Sequence, residues 1–122
     1  ILEKLSDIDE LKIDFFKNRI FVFTPQGDVI DLPEDATPID FAYNIHTDIG
    51  NHCNGAKIND QLVSLDTPLK SGDVVEIFTD KNRKGPSTDW LKHVKTHMAK
   101  THIKEKLKNE KSSWLKNILP KK

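Results

Sequence analysis

The four residues Thr37-Pro38-Ile39-Asp40 constrain this chain most, because they start a helix between two β-rich stretches. Thr37 can cap the free N–H groups of a first turn, and Pro38 suits the first helical position. Asp40 then places a carboxylate near the positive helix end. Phe41, Ala42 and Ile45 share a face, and Gly50 is placed to end the segment. Before this helix, Ile20-Phe21-Val22-Phe23-Thr24 and Val29-Ile30-Asp31-Leu32 flank the turn residues Pro25-Gln26-Gly27-Asp28, which predicts a β-hairpin. After it come Ala56-Lys57-Ile58, Gln61-Leu62-Val63 and Val74-Val75-Glu76-Ile77-Phe78, with turns at Asn59-Asp60 and Ser71-Gly72-Asp73. Hairpin, helix and short strands in that order predict an α+β domain, with one helix laid across a small mixed sheet: a β-grasp.

The expected division is a linker or helix end over 1–17, the β-grasp over 18–80, a linker over 81–86 and a basic helical segment over 87–122. In the first part Leu2, Leu5, Ile8 and Leu11 recur at spacing three. In the last, Trp90, Leu91, Val94 and Met98 begin an apolar stripe that Ala99, Ile103 and Leu107 continue. That stripe is narrow, so the helix needs either the β-grasp body or another neighbour. Residues 18–80 are expected to close their own core and the tail to be looser. Trp114, Leu115, Ile118 and Leu119 fit a further amphipathic turn or two.

Charge divides the chain in the same place. Residues 1–80 hold six of the 19 Lys+Arg and 16 of the 19 Asp+Glu, a balance of −10. Residues 81–122 hold the remaining 13 and three, a balance of +10. The basic part suits a nucleic-acid backbone, whereas the acidic part can touch RNA only through a local site of shape and hydrogen bonds. Apolar residues make up only 36% of the chain, and no stretch approaches the roughly 18 apolar residues of a membrane span. The chain opens on Ile1 and reads as a piece of a longer cytosolic protein. Cys53 is the sole cysteine, which excludes an intrachain disulfide.

A family resemblance follows from Arg19-Ile20-Phe21-Val22-Phe23-Thr24-Pro25-Gln26-Gly27, and more closely from Leu32-Pro33 and Ala36-Thr37-Pro38-Ile39-Asp40-Phe41-Ala42-Tyr43-Asn44-Ile45-His46-Thr47-Asp48-Ile49-Gly50. These stretches resemble the TGS domain of RelA/SpoT-type (p)ppGpp enzymes. Gly55 to Asn59, Leu65 to Leu69 and Ser71 to Ile77 continue the resemblance, and Gly85-Pro86-Ser87 with Asp89-Trp90-Leu91 resembles the family's entry to its helical domain. The family commonly has a longer loop after Trp-Leu, where Lys92-His93-Val94 follows here at once. Threonyl-tRNA synthetases and some GTPases also carry TGS modules, but they are less similar across Asp40-Phe41-Ala42-Tyr43.

The resemblance implies a parent that is a GTP pyrophosphokinase, a (p)ppGpp hydrolase or both, and a non-catalytic regulatory role for this piece. It implies sensing of deacylated tRNA on the ribosome through the 3′ CCA end, with acyl carrier protein or the catalytic domains of the same chain as alternative partners. His46 matches the family's CCA-contacting histidine. Without the resemblance, a histidine ending a helix simply favours the negative end of its dipole. Asn44, Thr47, Asn51 and His52 flank it, either as further contacts or as a solvated turn. Lys92, Lys95, Lys100 and Lys104 are candidates for RNA-backbone contact, or form a solvated face. His93 and His97 stand four apart without a third ligand, and Cys53 suits a buried thiol, so no catalytic residue, metal or cofactor is expected. The final strand lacks the Gly-Gly tail of sulfur carriers and ubiquitin-like tags.

Overall fold

The computed structural model describes residues 18–118, with side-chain surroundings up to residue 109. The expectations for residues 1–17, and for the side chains of Trp114, Leu115, Ile118 and Leu119, lie outside the described residues. β1 (Arg19–Phe23) and β2 (Val29–Pro33) form the hairpin, with Ile20 opposite Leu32 and Val22 opposite Ile30. Gly27 turns the chain at φ 94°, and Thr24 closes the loop by accepting from Gly27 N–H and, through Oγ1, from Asp28 N–H. α1 (Pro38–Ile45) and a short α2 (Thr47–Asn51) follow, then β3 (Cys53–Ile58), β4 (Gln61–Val63) and β5 (Val75–Thr79). Asn59 and Asp60 both take positive φ, as a two-residue hairpin turn requires.

β3 is flanked by β4 and β5, both antiparallel to it. β1 meets the start of β5 in a parallel bridge, Phe23 with Val74, reinforced by Phe23 N–H to Asp73 O at 2.8 Å. That bridge joins the two sheets and makes the whole mixed, in the β-grasp manner.

α1 is buried on both faces, from Pro38 to Tyr43 without a break. One face packs Phe41 with Ile20, Val22, Leu32, Ala36, Leu69 and Val75. The other packs Ile39, Ala42 and Tyr43 with Trp90, Val94, Ala99 and Ile103 from the basic segment. A helix with apolar side chains on two faces needs such double cover. The partner expected for the narrow stripe is therefore the β-grasp body. The tail's first turns belong to its core rather than hanging loose.

A 3-10 turn (Thr88–Lys92) leads into α3 (His97–Ile118). Arg83 lies over the Trp90 ring, 4.6 Å from its centroid, and its Nε donates to Gly85 O, so the stretch between β5 and the turn is fastened as well.

Asp40 fixes α3 to α1. Its buried carboxylate accepts from Thr37 N–H at 3.0 Å, at the start of its own helix. It also accepts from Lys95 N–H at 2.9 Å, Thr96 N–H at 3.0 Å and Thr96 Oγ1 at 2.9 Å. Thr96 Oγ1 in turn accepts from Ala99 N–H, a free donor of the first turn of α3. One carboxylate thus caps two helix starts. Burial pushes its pKa up from the ordinary range, and the hydrogen bonds from Thr37, Thr96 and Lys95 pull against that.

Gly50 does not end α1, as expected, but lies inside α2. A Cβ there would overlap the ring of Tyr43. Gly50→Ala gains about 1 kcal/mol of helix propensity but forces Tyr43 out of a filled core, which costs about 3 kcal/mol. The net expectation is a melting temperature about 10 °C lower. An unchanged melting temperature would show that Tyr43 has room to move.

Candidate functional site

The residues expected at the site gather where α1 gives way to α2. His46 is extended, at φ −167° and ψ 146°, and stands between the two helices. Its N–H closes α1 on Ala42 O at 3.2 Å. Its Nδ1 accepts from Asp48 N–H at 3.0 Å and so caps α2. The helix-dipole reading of this histidine therefore needs revision: the imidazole sits at the negative end of one helix and at the positive end of the next. Its side chain is 64% exposed.

His52, half-buried, caps the other end of α2, with Nδ1 2.9 Å from Asp48 O. A carbonyl oxygen only accepts, so Nδ1 of His52 carries the proton. The Asp48 backbone thus meets both rings, His46 by its N–H at the start of α2 and His52 by its C=O at the end. Thr47 is half-buried in the first position of α2.

Asn51 is set differently from the other four. It is buried, and its Oδ1 accepts from Tyr43 O–H at 2.8 Å. A phenol in a core needs such a partner, so Asn51 supports α2 from beneath rather than facing solvent. Asn44 is exposed but lies two residues back, in a small cleft of about 180 Å³ shared with Asp31, Pro33, Thr96 and Met98. The structure therefore brings His46, Thr47 and His52 together, and leaves Asn44 and Asn51 aside.

Beside this corner lies a groove of about 310 Å³ that the sequence did not reveal. Phe41, Ile45, Ile49, Val75 and Ile77 line its walls, while Thr24, Gln26, Glu76 and Thr79 supply polar groups. Ile45, expected to share a face with Phe41 and Ala42, stays 38% exposed at this groove. An apolar cleft with a few polar groups is a common ligand-site form.

The four lysines fall into two groups. Lys92 is exposed and sits 3.8 Å from Asp89, and Lys95 follows in the segment whose backbone binds Asp40. Lys100 and Lys104 lie in sequence on either side of His102, which stacks on Tyr43 with ring centroids 6.1 Å apart. Each is two positions from His102 and so projects about 160° around α3 from the ring that meets Tyr43.

His93 and His97 do not share a helix face. His93 closes the 3-10 turn, and a break separates it from α3. Among the described residues, no group of three or more His, Cys, Asp or Glu is arranged to hold a metal ion. Cys53 is fully buried, and burial pushes its thiol up to about 11, so little thiolate forms at neutral pH. No helix among the described residues is long and apolar enough to cross a membrane.

Known proteins resemble this chain over most of its length. The TGS domain family model matches residues 20–79, which run from β1 to the end of β5. The chain is 52% identical over 103 residues to a guanosine-3′,5′-bis(diphosphate) 3′-pyrophosphohydrolase of Aquifex aeolicus, covering 84% of this chain and 15% of that protein. It is 48% identical over 103 residues to a GTP pyrophosphokinase of Myxococcus xanthus, covering 84% and 14%. It is also 48% identical over 99 residues to the bifunctional (p)ppGpp synthase/hydrolase RelA of Mycobacterium tuberculosis, covering 80% and 13%. The chain thus spans about one-seventh of the length of these curated relatives. The likeness runs well past β5, into the segment docked on α1, and the chain belongs to the RelA/SpoT family, of which it carries the TGS domain.

Proposed function

We propose that this chain is a regulatory, non-catalytic part of a cytoplasmic (p)ppGpp synthetase/hydrolase, and that it senses deacylated tRNA on the ribosome through the 3′ CCA end. The observation that carries this reading is the exposed imidazole of His46, which follows Ile45 in the chain, a residue that lines an apolar groove. An unpaired RNA end offers free base faces and edges, which such a corner can stack on and hydrogen-bond. The surrounding domain is acidic, so attraction to the backbone falls to the docked basic segment, which carries the four candidate lysines. The parent's chemistry is assigned to regions outside this chain, and the chain alone is expected neither to make nor to hydrolyse (p)ppGpp.

A second reading, docking of acyl carrier protein, draws on exposed Lys104 and Lys108 of α3, which suit an acidic partner. A titration separates the two. The chain is mixed with one tRNA, deacylated or aminoacylated, and separately with acyl carrier protein. The tRNA reading expects the free end to bind about tenfold tighter than the charged one, as blocking one polar contact would produce. Binding to the carrier protein alone would replace it with the docking reading.

A further inference from the structure

β5 stands at the edge of its sheet, with β3 on one side. Among the described residues, β1 reaches its other side only at the parallel bridge of Phe23 with Val74, and the chain then turns away at Thr24. Hydrogen bonds at the two ends of β5 fix which way its peptide groups point. Val74 O accepts from Asn59 N–H at 2.9 Å, and Val74 N–H donates to Asn59 Oδ1 at 3.0 Å. Asp80 N–H donates to His52 O at 2.9 Å, again on the β3 side. Backbone groups alternate along a strand, so Glu76 and Phe78 also face β3, whereas Ile77 and Thr79 turn their N–H and C=O to the open side. The bulge between Cys53 and Gly55 lies in β3 and leaves this alternation intact. On the open side is the groove of about 310 Å³, which Ile77 and Thr79 line together with the helix residues Phe41, Ile45 and Ile49. An unpaired strand edge is a template for another strand.

We infer that the β5 edge takes a short, basic, extended peptide as an added strand, hydrogen-bonded to Ile77 and Thr79. Such docking goes beyond the RNA-end reading and does not depend on His46. Strand addition draws affinity from main-chain hydrogen bonds and specificity from alternate side chains. Val75 is buried and Ile77 packs against the core, so this face of β5 looks toward α1. Every second side chain of the added strand then meets the apolar lining of Phe41, Ile45 and Ile49. The side chains between them fall on the face of Glu76, the one charged residue among those that line the groove. Lys57, opposite Glu76 on β3, lies over the Phe78 ring, 5.6 Å from its centroid. A lysine or arginine of the peptide gives Glu76 a cross-strand partner on its other side. Residues 18–80 hold three Lys+Arg and 11 Asp+Glu, a balance of −8, so the surrounding field also selects a basic peptide over an acidic one.

The test uses the whole chain and a short synthetic peptide of alternating lysine and valine. At saturation, amide exchange at Ile77 and Thr79 is expected to slow by about tenfold, the scale of one backbone hydrogen bond. Glu76 and Phe78, already turned to β3, should change little. Replacing the peptide's lysines by glutamate, or N-methylating its backbone, should each weaken binding by about tenfold. Glu76→Gln should weaken the lysine peptide by about threefold, as loss of one cross-strand charge pair does. Ile77 and Thr79 amides that exchange as slowly as that of Phe78 in the free chain overturn the proposal, because the edge is then covered. Equal binding of the glutamate or N-methylated peptide also overturns it, as does the absence of slowing at Ile77 and Thr79. Unchanged affinity in Glu76→Gln overturns the choice of a basic occupant.

Discussion

Asp40→Ala is expected to lower the melting temperature by about 15 °C, the largest stability loss of any single polar substitution in the described residues. The carboxylate serves Thr37 at the start of α1, and Lys95 and Thr96 at the start of α3. Removing it strands these N–H groups and the Thr96 hydroxyl, at about 1–3 kcal/mol for each buried donor left unpaired. Water reaches the half-buried Lys95 and Thr96, so the net loss is put at about 3 kcal/mol. Asp40→Asn keeps the shape but turns an N–H₂ toward donors, and should lie between. The loss also has a place: amide exchange should quicken in the first turns of α3 before it does in β3. A variant that melts within a degree or two of the parent would show that the apolar contacts of Trp90, Val94 and Ile103 hold α3 unaided.

His46→Glu is expected to weaken binding of deacylated tRNA by about tenfold while leaving the melting temperature nearly unchanged. Two like charges 4 Å apart repel by about 1 kcal/mol in water and by about 4 kcal/mol at an effective dielectric constant near 20. A carboxylate facing RNA phosphates falls between those limits. The fold should tolerate it because position 46 sits at two helix ends at once. A carboxylate there is disfavoured by the end of α1 and favoured by the start of α2, each effect about 0.3–1 kcal/mol. It also keeps an acceptor for Asp48 N–H. Affinity and fluorescence melting measured on the same preparation separate the two effects. Unchanged affinity would remove His46 from the contact surface, and a large melting shift would make its role structural.

The hairpin, the start of α1 and the later strands were legible because local chemistry decides them: Gly27 at a turn, Thr37-Pro38 at a helix start, a run of β-branched and aromatic residues in β1. The break at His46 was not legible. The apolar spacing from Phe41 through Ile45 to Ile49 continues across it, and Gly50 looks like a helix stop unless Tyr43 is known to lie against it. Asn51 and His52 read alike as polar turn residues, yet one is held in the core by Tyr43 and the other stands at the surface of α2. Asp40 was legible as a cap of its own helix, but its second role depends on Lys95 and Thr96, 55 and 56 residues on. The four-residue spacing of His93 and His97 implied a shared helix face only while a continuous helix was assumed. The groove beside α2 needs α1, α2 and β5 in place before it exists, so no local pattern marks it.

The most direct test of the central claim is to map where a deacylated RNA end touches the chain. Nitrogen-15 and proton shifts are followed while a hairpin ending in CCA is titrated in. The RNA-end reading predicts the largest changes at His46, Thr47 and His52 and along the Ile45–Ile49 side of the groove, with smaller salt-sensitive changes at Lys100 and Lys104. Changes confined to the lysines of α3, with the α1–α2 corner silent, would contradict it.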